Sequence, residues 1–321
     1  MERIDISVVS PVFNEEDNVE ELYNELVISL ERTGKNFEII FVDDGSTDST
    51  FERLKKIRER DKRVKIIRFR RNFGQTPALS AGFDYARGEI IITIDADLQN
   101  DPSDIEILLK KMEEGYDLVS GWRWKRKDNF LTRILPSKIA NFLISMITGV
   151  KLHDYGCTLK AYRSEVVKNI RLYGEMHRFV PAVASLLGIN VAEVKVNHRK
   201  RKAGKSKYGI GRTIRVILDL ITVKFLISYS TRPLQIFGLI GLITGGTGFL
   251  LGVYLTYLKI IERQAIGNRP LLLLSVLLIF LGAQFISLGL LAEMLSRTYH
   301  EAVEKKIYAI KELHGFEEEK I

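Results

Sequence analysis

Asp95, Asp97 and Gln99 stand at alternate positions directly after Ile90-Ile91-Ile92-Thr93-Ile94, a run of apolar and β-branched residues. In an extended chain, alternation turns these three oxygen-bearing side chains to one side and Ala96 and Leu98 to the other. Such a set suits a hard divalent cation, Mg²⁺ or Mn²⁺, which keeps its remaining positions for water and phosphate oxygens. Asp-x-Asp is a common tripeptide, and its place at the exit of a buried strand is what gives it weight. A second acidic group, Val42-Asp43-Asp44-Gly45-Ser46-Thr47-Asp48, follows another apolar run. Its carboxylates suit hydrogen bonds to a base edge or ribose hydroxyls and would repel a pyrophosphate, although the same residues also make a good turn and helix cap. The first apolar run leads into Ser10-Pro11-Val12-Phe13-Asn14-Glu15-Glu16. That turn lacks the Gly-x-Gly-x-x-Gly of a dinucleotide-binding fold, so that reading fails where it needs its glycines.

Three further stretches carry polar chemistry. Arg70-Arg71-Asn72-Phe73-Gly74-Gln75 follows the third apolar run and reads either as a wall of the same site or as a solvated loop. Asp154-Tyr155-Gly156-Cys157-Thr158-Leu159-Lys160-Ala161-Tyr162 begins in a polar loop. His198-Arg199-Lys200-Arg201-Lys202-Ala203-Gly204-Lys205-Ser206-Lys207-Tyr208-Gly209 is basic. Its glycines and Ser206 favour phosphate cradling over a segment that merely attracts anionic lipid. Asp101 before Pro102 reads as a helix cap with proline at the first helical position, a structural role.

The elements that must position these groups are legible as short apolar runs at Ile4–Val9, Phe37–Val42, Val64–Phe69, Glu89–Ile94 and Tyr116–Gly121. Between them lie helical stripes, clearest in Val19, Leu22, Leu26 and Leu30 and weaker in Leu54 and Ile57. This alternation predicts an α/β fold with a mainly parallel sheet and flanking helices, its ligands beyond the carboxyl ends of the strands.

The composition, 46% hydrophobic and 27% charged over 321 residues, averages to that of an ordinary soluble protein and conceals a strong asymmetry. Pro233–Leu258 and Pro270–Ala292 are 26 and 23 residues without Asp, Glu, Lys or Arg. As helices they would be about 39 and 35 Å long against a hydrocarbon core of about 30 Å, and the short Lys259–Arg269 link makes them a transmembrane hairpin. Residues 137–149 and 213–231 are apolar on much of their circumference but keep charges such as Lys138 and Asp219, which suits interfacial helices or, alternatively, ordinary buried core helices. Between Lys195 and Arg232 eleven Lys or Arg face a single acid, Asp219. The positive-inside rule therefore keeps the large domain and the C-terminal tail cytoplasmic. The expected organisation is a cytosolic catalytic domain over 1–212, an interfacial helix over 213–231, two membrane helices within 232–296 and a cytosolic tail over 297–321.

The N-terminal Met-Glu-Arg-Ile-Asp-Ile-Ser is not a signal peptide. One cysteine, Cys157, allows neither an internal disulfide nor a thiolate metal site. A formal charge of +8 calls for an anionic partner. Nucleic acid is disfavoured, because a basic nucleic-acid arm is not normally followed by two membrane spans. Gly241 with Gly245, and Gly248 with Gly252, are small-xxx-small pairs that permit close helix packing and a homo-oligomer.

Taken together, Ser10–Glu15, Val42–Asp48, Asn72–Gln75, Asp95–Gln99, Asp154–Cys157 and Gly204–Tyr208, followed by a two-span tail with Gly282-Ala283-Gln284-Phe285, resemble family 2 glycosyltransferases of the GT-A fold, in particular the polyprenyl-phosphate glycosyltransferases. The resemblance implies inverting, metal-dependent transfer of a sugar from a nucleotide-diphosphate sugar to a polyisoprenyl phosphate, undecaprenyl or dolichyl, at the cytoplasmic membrane face. A UDP-sugar such as UDP-glucose is favoured as donor, with GDP-mannose the alternative. Pro11, Phe13, Glu15, Asp44, Asp95 and Ala96 would contact the donor nucleotide, and Asp95, Asp97 and Gln99 the Mg²⁺ or Mn²⁺. Arg201, Ser206 and Lys207 would grip the diphosphate, and Arg123, Arg133 and Ser137 the acceptor phosphate. Asp97, Asp154 and Arg201 would carry catalysis, with Asp154 orienting acceptor or sugar. The Gln-x-x-Arg-Trp pattern of processive polysaccharide synthases is absent. Two rival readings are a membrane-anchored glycosyltransferase acting on a glycan or protein, and a non-catalytic membrane-tethered regulator or transporter subunit that binds nucleotide sugars. Spans without intramembrane charge offer no obvious transport path for the latter.

Overall fold

A computed structural model describes residues 3–124, 141, 144–146, 149–170, 180–186, 188–199, 233–267, 269–302 and 307–316. These form two units, a sheet unit and a helical hairpin.

The sheet unit begins with three strand–helix repeats: β1 (Ile6–Val12), α1 (Val19–Glu31), β2 (Phe37–Asp43), α2 (Thr50–Arg60), β3 (Val64–Phe69) and α3 (Gln75–Tyr85). Then come β4 (Ile90–Thr93), a single 3₁₀ turn at Pro102–Asp104, α4 (Ile105–Glu113) and β5 (Leu118–Arg123). β6 (Lys160–Arg163), α5 (Ser164–Asn169), α6 (Val180–Leu186) and β7 (Val191–Val196) complete the part before the hairpin. All seven residues of β2 are buried, as a strand covered by helices on both faces requires. The stripe Val19, Leu22, Leu26 and Leu30 seats α1 on the core, each residue fully buried. Asp101 caps the 3₁₀ turn as expected, its carboxylate accepting the Ser103 N–H at 3.0 Å.

The sheet runs β7-β5-β6-β4-β1-β2-β3-β8. β1 pairs in parallel with β2 and β4, β2 with β3, and β5 with β7. From β1 the chain works outward through β2 and β3, then returns to the other side of β1 as β4. That reversal opens a crevice at the carboxyl ends of β1 and β4, where open α/β sheets bind ligands. β6 is antiparallel to both its neighbours, with Lys160 opposite Thr93 of β4 and Ser120 of β5. Its first residue therefore lies where its neighbours end, and residues 154–159 are delivered to the crevice.

The segment after the second apolar helix adds the edge strand β8 (Ile310–His314), antiparallel to β3. Tyr308 anchors it, stacking on Phe69 with centroids 5.3 Å apart and donating its hydroxyl to Asp84 at 2.5 Å.

The hairpin consists of α7 (Pro233–Ile260) and α8 (Pro270–Ala302). Leu234–Ile260 and Pro270–Ala292 are long and apolar enough to cross a membrane. The contact between the helices is made of small residues: a Cβ on Gly282 would stand 2.6 Å from the Gly245 backbone, and the Ser275 hydroxyl donates to the Gly248 carbonyl at 2.8 Å. Within the expected interfacial helix 137–149, residues 141 and 144–146 are helical, whereas 213–231 lies outside the described residues.

Candidate active site

β4 ends at Thr93, and residues 96–98 turn, with Leu98 in the left-handed region at φ 59°. The expected pleat does not carry on through Gln99, so it is a turn that gathers the acidic groups. Ala96 and Leu98 drop into the core, 3% and 1% exposed, which leaves Asp97 on the crevice side at 8%. The Asp97 carboxylate accepts the Gln99 N–H at 3.2 Å and stabilises the turn.

Asp95 is held from two directions. Gln75, at the start of α3, donates its side-chain amide to Asp95 Oδ1 at 2.7 Å, and the Thr158 hydroxyl hydrogen-bonds Asp95 from the 154–159 loop. Thr158 is itself fixed, its carbonyl accepting the Thr93 hydroxyl at 2.6 Å and its own hydroxyl accepting the Asn100 amide at 3.0 Å. Burial first, and then the Asp97 charge, push the Asp95 carboxyl up to about 7. A divalent cation would relieve this opposition of two carboxylates. Among the described residues no three His, Cys, Asp or Glu side chains form a metal cluster. The paired Asp95 and Asp97 carboxylates fit a hard cation that takes its other ligands from water and phosphate.

The acidic turn after β2 supports the same site indirectly. Asp44, 4% exposed, accepts the backbone N–H groups of Phe73 at 2.7 Å and Gly74 at 2.9 Å. It thereby places the loop from which Gln75 reaches Asp95. The loop passes so close that a Cβ on Gly45, already at φ +72°, would stand 2.5 Å from the Arg71 backbone. Of the Arg70–Gln75 stretch, Arg70, Arg71 and Asn72 are exposed, whereas Gln75 reaches Asp95. Pro11 lies in β1 opposite Val42. After it, Asn14 bonds the backbone of Thr47 at 2.8 Å and Glu15 donates its N–H to Thr50 at 2.9 Å, so the first two strand exits are knitted together. Phe13 lies in the β1 exit and is half-buried.

Asp154 and Arg123, assigned by sequence to different partners, grip each other. Arg123 Nε donates to Asp154 Oδ2 at 2.6 Å and Nη2 to Oδ1 at 2.8 Å, with Asp154 only 3% exposed. The Gly156 N–H adds a third bond to Asp154 at 3.1 Å. Beneath the same loop the Lys160 ammonium, 3% exposed, donates to the Cys157 and Tyr155 carbonyls. Burial lowers its pKa. Thr158 and Lys160 were missed as supports of the site. Their one sequence signal is a lysine set between the apolar Leu159 and Ala161.

The exit of β7 closes the crevice from the other side. Asn100 bridges His198, and the Arg199 N–H donates to the Gln99 carbonyl at 2.8 Å. The chain thus enters its basic stretch directly from the acidic turn. Arg201, Ser206 and Lys207, like Arg133 and Ser137, lie outside the described residues.

A mainly parallel sheet with two supported carboxylates at its switch point is the arrangement of the GT-A fold. The fold agrees with solved structures of that kind: glucosyl-3-phosphoglycerate synthase from Mycobacterium tuberculosis, in complex with Mn²⁺, UDP and glucosyl-3-phosphoglycerate, superposes with a TM-score of 0.56 at 18% identity, covering 71% of this chain and 82% of that one. Mannosyl-3-phosphoglycerate synthase from Rubrobacter xylanophilus gives 0.56 at 15%, covering 69% and 74%. The family model for glycosyl transferase family 2 matches residues 7–171, and the chain belongs to that family. A dodecaprenyl-phosphate galacturonate synthase from Rhizobium johnstonii is 44% identical over 98% of this chain and 94% of its own length. An undecaprenyl-phosphate 4-deoxy-4-formamido-L-arabinose transferase from Shewanella sediminis is 39% identical over 96% and 92%.

Proposed function

We propose that this glycosyltransferase moves a sugar from a nucleotide-diphosphate sugar, with UDP the favoured nucleotide, to the phosphate of a polyisoprenyl carrier. The observation that carries the reading is the Asp95–Asp97 pair at the β1/β4 crevice, supported by Gln75 and Thr158. Its support for a lipid-phosphate acceptor comes from relatives that match nearly end to end and are named for polyprenyl-phosphate products. The sugars in those names, a uronate and a formamido-pentose, widen the donor choice beyond UDP-glucose and GDP-mannose.

A phosphate monoester is already largely dianionic at pH 7, so the acceptor oxygen needs little help from a base. The chain's task is positioning and charge complementarity. A cation held by Asp95, Asp97 and Gln99 would neutralise the departing diphosphate. Pro11, Phe13, Glu15 and Asp44 bound the nucleotide side of the crevice, and Arg201, Ser206 and Lys207 supply cations and a hydroxyl to the diphosphate. Asp154 fixes the plane of the Arg123 guanidinium, which with Arg133 and Ser137 receives the acceptor phosphate. Displacement in line inverts the anomeric carbon.

We place the protein in a membrane crossed by α7 and α8, with the sheet unit on the cytoplasmic side. The eleven cations of Lys195–Arg232 support that side. The chain beyond α8 contributes β8 to the same sheet that precedes α7, as two crossings require. The test is to incubate membranes bearing the protein with Mg²⁺ or Mn²⁺, polyprenyl phosphate and labelled UDP-glucose, GDP-mannose, or UDP-linked uronic and amino sugars. Label in the organic phase for one donor is expected, and no transfer from any of them overturns the reading.

A further inference from the structure

Trp122, in β5, and Trp124, one residue beyond the strand's end at Arg123, are the two tryptophans of the chain. Their rings meet edge to face, 4.6 Å between centroids and 89° between planes. His153 stacks on Trp122 at 4.0 Å and 12°. The exposed Lys195, opposite Trp122 in β7, holds its ammonium 3.8 Å from the Trp124 centroid and 5.5 Å from that of Trp122. Glu193 is engaged by His153, accepting its backbone N–H at 3.0 Å and its ring Nδ1 at 2.7 Å. Trp124 is nonetheless 50% exposed. A large aromatic left half in water beside a cation is unusual for a folded surface, and it is the composition that suits a membrane–water interface. There the indole rests among headgroups and glycerol esters while lysine and arginine meet lipid phosphates.

Two features of the sequence single out an anionic bilayer as the occupant. Trp124 is followed directly by Lys125-Arg126-Lys127. Lys195 is the first of the cations that lead along the chain to Pro233, where the first apolar helix begins. Building on the membrane reading above, we propose that the Trp122–Trp124–Lys195 patch is a lipid-headgroup contact of the sheet unit, selective for anionic phospholipid.

Because the chain has only these two tryptophans, emission excited to the red of tyrosine absorption reports the patch alone. The full-length protein, as wild type, W122F and W124F, is reconstituted into phosphatidylglycerol vesicles whose acyl chains carry bromine either near the headgroup or deep in the bilayer. Emission from Trp124, isolated in W122F, is expected to fall at least twofold with shallow bromine and less with deep bromine. Replacing phosphatidylglycerol by phosphatidylcholine, or Lys195→Glu, should weaken that quenching. Equal emission in brominated and plain vesicles, with the protein resisting an alkaline carbonate wash, overturns the lipid contact and leaves the membrane reading standing. Protein stripped by the wash overturns both. Quenching that UDP-sugar abolishes, with no dependence on lipid charge, also overturns the proposal and assigns the patch to the donor pocket.

Discussion

The sheet unit and the hairpin use the same apolar residues in opposite ways. In the sheet unit, Val8, Ile39, Phe41 and Leu54 lie inside, at most 0% exposed, and the polar groups gather at strand exits. In the hairpin, Leu242, Phe249, Leu273 and Phe280 point outward, 63% or more exposed, while glycines and a serine make the contact between helices. One unit is held together by expelling water, so its interior is large and apolar. Helices bathed in hydrocarbon gain nothing from hiding leucine and associate through close backbone approach instead. The buried Asp95–Asp97 pair of the first unit stands at a strand exit, and the small residues of the second serve packing.

The sharpest test of that contrast removes charge without removing structure. Asp97→Ala should lower turnover by about 10³-fold or more, the scale of losing cation-based charge stabilisation, while the thermal midpoint stays within a few degrees. A second comparison pairs equal truncations in the two units. Leu54→Ala, at a fully buried site, should destabilise the sheet unit by about 2–5 kcal/mol. Phe280→Ala, 70% exposed, should change detergent stability by less than about 0.5 kcal/mol, and chemical denaturation reads both. Gly282→Leu reverses the logic: a side chain forced against the Gly245 backbone should destabilise the hairpin by about 1–3 kcal/mol. Nucleotide binding, followed by calorimetry, should be unchanged, and a matching loss of binding would show that the two units are not separate in function.

The remaining expected effect is a pH dependence. The Asp95 carboxyl, raised to about 7 by burial and by Asp97, keeps a proton in the native state that an unfolded aspartic acid has lost above about pH 4. Without a divalent cation, stability should therefore fall as pH rises from about 4 to 7 and level off above. The same proton competes with the cation, so Mn²⁺ affinity should weaken about tenfold per pH unit below 7. A cation affinity that is flat between pH 5.5 and 7.5 would show that Asp95 is ionised throughout.

Much of the site is legible where a residue's role is local. The acidic residues after β4, the Asp101 cap and the strand exits are recognisable because strand length, turn chemistry and capping are decided within a few residues, whereas the turn at 96–98 replaces the pleat expected through Gln99. Three legible residues changed their meaning in space. Asp44 holds the 73–74 backbone, and Arg123 and Asp154 hold each other, relations that link positions 29 or more apart and leave no trace in local pattern. β6 and β8 were passed over for the same reason: Lys-Ala-Tyr-Arg and Ile-Lys-Glu-Leu-His are too short and polar to read as strands, and their pairing partners make them so.

The sequence by itself determined the α/β alternation, the acidic exits, the basic stretch and the two apolar helices, since periodicity, charge and length suffice for each. Only the tertiary structure decided that an antiparallel β6 brings Thr158 and Lys160 under the acidic turn, that Gln75 reaches Asp95, and that the chain beyond the hairpin returns to the sheet. Those outcomes depend on which strand lies beside which, and sheet order is a global choice made by the whole core.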